Sequence, residues 1–131
     1  METMKTQVPL RQLHLEHEIW LNELSFYKDE LKLFDRYLLD LVAKNTGKDI
    51  LKSIEHFQNQ FIRQKEVMDE LSHDIREHEK WVVQKVNTLN PVQAEKTRFT
   101  DHVGYRENMD DFKKVYAAMK KEFLDFLSRA L

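Results

Sequence analysis

The sequence predicts an all-α fold: an up-down-up antiparallel bundle of three long helices with coiled-coil-like heptad packing. Three observations lead there. The 131 residues include only two glycines and two prolines, too little turn material for a many-stranded β fold. The breakers gather at two places, "NTGKD" and "LNPVQ", and divide the chain into three segments. Within each segment inward-type residues recur without a gap in steps of three and four, the signature of a coiled-coil seam.

The first helix, expected over about 9–45, opens at Pro9, whose missing N–H costs nothing at the first helical position. Its stripe is Leu10, Leu13, His17, Trp20, Leu24, Tyr27, Leu31, Phe34, Leu38 and Leu41. Gly47 reads as the stop and Asp49 as the N-cap of a second helix over about 49–88. That helix carries Ile50, Ile54, Phe57, Phe61, Gln64, Met68, Leu71, Ile75, His78 and Val82. Asn90 then caps, Pro91 takes the first helical position and Gln93 completes a capping box. The third helix covers 91–131, either continuous or broken near 98–104, where Thr100 is a second cap and Gly104 a weak point. Its stripe is His102, Tyr105, Met109, Phe112, Tyr116, Met119, Phe123, Phe126 and Ala130. Residues 1–8 are expected to be a flexible N-terminus and 9–131 a single bundle domain.

Short connections make successive helices antiparallel, which sets a register. Turning at residue 47 or 48 puts Leu24 beside Leu71, Phe34 beside Phe61 and Leu41 beside Ile54. Turning again near residue 90 runs the third helix parallel to the first at an offset of about 85 residues. Charges agree with it. Glu16, Glu23 and Glu30 flank the first stripe at heptad position g, and Arg106, Lys113 and Lys120 flank the third at e. In a parallel pair g meets the e of the next heptad, which matches Glu16 with Arg106, Glu23 with Lys113 and Glu30 with Lys120. Gln64 is the one strongly polar residue in the dense part of the core, and Tyr116 in its layer is the expected hydrogen-bond partner.

One layer stands apart. Three of the six histidines, His17, His78 and His102, fall at one height, each on the inward stripe of a different helix. Above them the stripes weaken to Leu13/Val82/Arg98 and Leu10/Lys85/Glu95. Three converging imidazoles are a ligand set for one zinc-like divalent ion, with water in the fourth place. Asp74, Glu16 and Asp101 are near enough in sequence to act as outer acceptors. The same layer also reads as packed histidines bonded to carboxylates and water, or as a pH-sensitive cluster that loosens in acid. By contrast "ELSH" has the E-x-x-H spacing of di-iron helices, but His73 lies opposite the stripe and Glu70 well off it.

A second face lies on the first helix, where Ile19, Phe26 and Leu33 form a row outside the seam. Val115, Leu124 and Leu127 lie just off the third seam and extend the apolar surface. The net charge of −2 gives no footprint for nucleic acid. No apolar run reaches the length of a membrane span, and the start lacks the apolar stretch of a signal peptide. Without cysteine there are no thiolate ligands or thiol nucleophiles, in keeping with a cytoplasmic setting. No phosphate-binding glycine loop or nucleophile elbow occurs. The expected role is therefore a non-enzymatic helical bundle acting through protein–protein association, with a partner or as a homodimer. The alternative is a metal-binding bundle in which His17, His78 and His102 hold one divalent ion.

Overall fold

A computed structural model describes residues 8–44, 47–96, 98–99 and 102–131, the side chains of 95, 98 and 99 excepted. Described residues form β1 (Val8–Pro9), α1 (Leu10–Lys44), α2 (Lys48–Val86), α3 (Pro91–Lys96), β2 (Arg98–Phe99) and α4 (His102–Ala130). The fold is all-α in character, with three long helices packed against one another. None of the described helices is long and apolar enough to cross a membrane.

Of the expected start signals, Pro9 does not open a helix: it pairs with Arg98 in the β1–β2 ribbon and α1 begins at Leu10. Asn90 Oδ1 accepts from the Gln93 N–H at 2.8 Å while the Asn90 N–H donates to Gln93 Oε1 at 3.0 Å, a reciprocal capping box that opens α3. At α2 the cap is Gly47, not Asp49. Asp49 sits inside the first turn, where its charge favours the positive end of the helix dipole. The third segment is interrupted: α3 ends at Lys96 and α4 begins at His102. Between them β2 pairs antiparallel with β1, Val8 opposite Phe99 and Pro9 opposite Arg98. Thr100 and Asp101, read above as a cap and an outer acceptor, lie outside the described residues, as do residues 1–7.

The main core is built from one stripe on each long helix, running from Trp20 and Ile75 to Leu41, Ile54 and Leu127. Phe123 of α4 is fully buried and meets Phe34 of α1 at 4.8 Å between ring centroids and Phe61 and Phe57 of α2 at 5.0 and 5.3 Å. Tilted and edge-on rings at such distances interlock by shape and quadrupole as well as by buried area. Near the C-terminus Leu127 is buried and Phe126 only partly so, which removes Leu127 from the surface row expected above. Val115 and Leu124 remain exposed.

Along the flanks Arg106, Lys113 and Lys120 donate to Glu16, Glu23 and Glu30 at 2.6, 2.6 and 2.9 Å. The first and last of these pairs have the same sequence separation, 90 residues. Between α1 and α2, Lys28 pairs with Asp69. Such partly exposed pairs contribute up to about 1 kcal/mol each and orient more than they stabilise. Glu30 does more. It accepts from the buried Tyr116 hydroxyl at 2.7 Å as well as from Lys120. Burial, with the Glu30 carboxylate beside it, holds the Tyr116 phenol above its ordinary pKa. Tyr116 is thereby committed to Glu30 and not to Gln64, whose buried Oε1 has no hydrogen-bond partner among the described residues.

The aromatic junction makes a direct prediction. Phe123→Ala, at a residue with no exposed surface touching both other long helices, is expected to cost about 3–5 kcal/mol, read by urea unfolding. Phe26→Ala, on the exposed side of α1, is expected to change stability by less than about 0.5 kcal/mol.

Candidate metal centre

Each long helix contributes one histidine to a buried layer next to Trp20. His17 comes from the second turn of α1, His78 from the C-terminal part of α2, and His102 is the first residue of α4. Their exposures are 2%, 4% and 0%. One nitrogen from each ring lies within 4.8 Å of the other two. The ring centroids are 5.0 Å apart for His17 and His78, 5.2 Å for His17 and His102, and 5.8 Å for His78 and His102. Aromatic rings wall the layer. Trp20 stacks on His102 at 5.0 Å, and Tyr105 stacks on His78 at 4.3 Å.

The hydrogen bonds have a direction that matters chemically. His17 Nδ1 meets Glu79 Oε2 at 2.5 Å, and the other Glu79 oxygen pairs with His14, so one carboxylate fixes two imidazoles. The opposite nitrogen, His17 Nε2, faces His78 Nδ1 at 2.9 Å. His102 repeats the pattern: its Nε2 donates to Glu16 Oε1 at 3.4 Å, while its Nδ1 is buried with no hydrogen-bond partner among the described residues. Two of the three rings therefore hold a carboxylate with one nitrogen and keep the other for a different use. A carboxylate behind an imidazole sets its tautomer and raises its basicity, which is how protein metal sites orient histidine ligands.

Electrostatics agree. Arg106 grips Glu16 through Nε and Nη2, both at 2.6 Å. Burial pushes the Glu16 carboxyl up, but the Arg106 hydrogen bonds and charge, with His102 beside it, carry it below its ordinary value. Burial pushes the His102 imidazole down to about 4, against the pull of Glu16. Neutral imidazole is the form that binds a metal. Nitrogens bound to tetrahedral zinc at about 2.0–2.1 Å are roughly 3.3 Å from one another. The His17–His78 pair must open a little and His102 must draw inward to reach that spacing, movements of the size side chains make by rotating.

Among the residues singled out in the sequence, the structure brings His17, His78 and His102 together, and separately joins Glu16, Glu23 and Glu30 to Arg106, Lys113 and Lys120. Asp74, Glu70 and His73 are exposed. Ile19, Phe26 and Leu33 are 45%, 60% and 37% exposed, and Leu15 at 56% extends their row. Glu79 is the residue that sequence reasoning missed. The flank matching applied to the first and third helices has a counterpart between the first and second, and there it sets His14 opposite Glu79.

A pH dependence follows from the depressed His102 pKa. Between about 6.5 and about 4 the unfolded chain takes up a proton that the folded chain resists, so the contribution of His102 makes stability fall as pH falls through that window. Thermal unfolding in the presence of a chelator is expected to show a falling melting temperature from about pH 7 to pH 4.5, with a shallower slope in His102→Gln. An equal slope in the two proteins would assign the loss to other groups. Comparisons with protein-family models, with curated proteins and with solved structures find no match for this chain, so its chemistry is read from the residues themselves.

Proposed function

We propose that this chain is a divalent-cation-binding helical protein in which His17, His78 and His102 hold one zinc-like ion. One observation carries the reading: three imidazoles from three helices meet in the interior, and two of them bond a carboxylate through one ring nitrogen. An imidazole set without thiolate suits zinc, and copper or nickel compete for the same donors. With every ligand at most 4% exposed, the ion serves to join helices and not to meet a substrate. The architecture belonging to this reading is the up-down-up antiparallel bundle with heptad packing. The flank ion pairs of α1 and α4, at one constant sequence separation, support it.

Calorimetric titration of chelator-treated protein is expected to give one zinc per chain and a raised melting temperature. Cobalt in its place is expected to give the visible absorption of a tetrahedral centre. Glu79→Gln keeps the shape but weakens the orienting bond, and is expected to weaken zinc binding about 10–100-fold. A chain whose melting temperature ignores added zinc removes the proposal.

A second reading, protein association in a cytoplasmic setting, is favoured by the exposed row Leu15, Ile19, Phe26 and Leu33. If a second copy covers it, light scattering is expected to give a dimer mass that falls to the monomer in Phe26→Lys. A monomeric wild-type chain ends the homodimer form of this reading.

A further inference from the structure

We infer that cation binding at the histidine layer closes the end of the molecule above it, fastening the β1–β2 ribbon and the start of α4 to the other two helices. The inference rests on His17, His78 and His102 being ligands and concerns what their occupation does.

The layer divides the core in two. Below it lies the continuous cluster that begins with Trp20 and Ile75. Above it, among the described residues, is a separate group of three buried apolar residues, Val8, Leu13 and Val82, with Leu10 and Val86 packed against them. Among the described residues the ribbon at this end pairs Val8 with Phe99 and Pro9 with Arg98. The described part of this end is small beside the cluster below the layer.

The ligands are placed to supply what is missing. His102 is the first residue of α4 and follows β2 closely, so a bond at His102 anchors both. His17 lies about two turns along α1 from β1, with Leu13 between them. His78 lies one turn before Val82 on α2. A single ion thus ties α1 and α2, which carry Leu13 and Val82 of the upper cluster, to the start of α4. Binding that requires the closed arrangement must in turn be strengthened by anything that favours closure, because the coupling is reciprocal. The aromatic end around Phe123, remote from the layer, has its own large contacts and needs no ion.

Hydrogen exchange by mass spectrometry on the full chain, with one equivalent of zinc or with chelator, tests this. Exchange is expected to slow at least tenfold in 8–20, 78–86 and 102–112, and to stay unchanged in 34–41, 54–61 and 119–127. Val8→Ala, outside the ligand set, is expected to weaken zinc binding about fivefold through the reciprocal coupling. Zinc that binds with no local slowing, or that slows the whole chain evenly, overturns the closure and leaves the metal site standing. Unchanged zinc affinity in Val8→Ala also overturns it. A chain that binds no zinc overturns both.

Discussion

A nitrogen buried in a helical core must be bonded to something, and three imidazoles in one layer make that requirement the governing constraint on this protein. Each neutral ring has one donor and one acceptor to satisfy. Glu79 and Glu16 engage one nitrogen each of His17 and His102, which turns the remaining nitrogens toward other uses. Arg106 holds Glu16 in place and balances its charge. The polar groups flanking the layer are thus arranged around its needs, and the core cannot run through it unbroken.

Below the layer the same chain solves burial in another way. Phe34, Phe57, Phe61 and Phe123 interlock, and the hydrophobic effect with close packing is sufficient there. Two polar side chains of that region, Tyr116 and Gln64, are treated differently. Tyr116 is long enough to reach out of the core to Glu30, whereas Gln64 carries a buried amide oxygen that no described residue satisfies. One end of the molecule is therefore held by apolar contact. The other is held, among the described residues, by a layer of bonds, the β1–β2 ribbon and the buried Val8, Leu13 and Val82.

Much of the architecture is legible in the heptad stripes, because helical periodicity determines which residues face inward before any partner is known. Asn90 and Gln93 announce a helix start for the same reason: the capping box is closed within four residues. The common height of His17, His78 and His102 is legible in the stripes, although the connection that leads to His102 is not a short turn and carries α3 and β2. What escapes such reasoning is whatever depends on how closely separate segments approach. The pairing of Val8 with Phe99 has no signal in either segment alone. Leu127 displaces Phe126 from the buried seam at the end of α4 because depth there is set by the neighbouring helices, not by the repeat.

The sequence by itself determined the helical character of the chain, the residues of its inward stripes and the three histidines placed on them, since all of these are local or periodic properties. Only the tertiary structure decided that Glu79 would serve both His14 and His17, that Arg106 would hold Glu16 beside His102, and that Tyr116 would choose Glu30 over Gln64. Those choices turn on distances of a few ångström between groups far apart in the chain. A hydrogen bond distinguishes its partner at that scale, while a repeat specifies only a face.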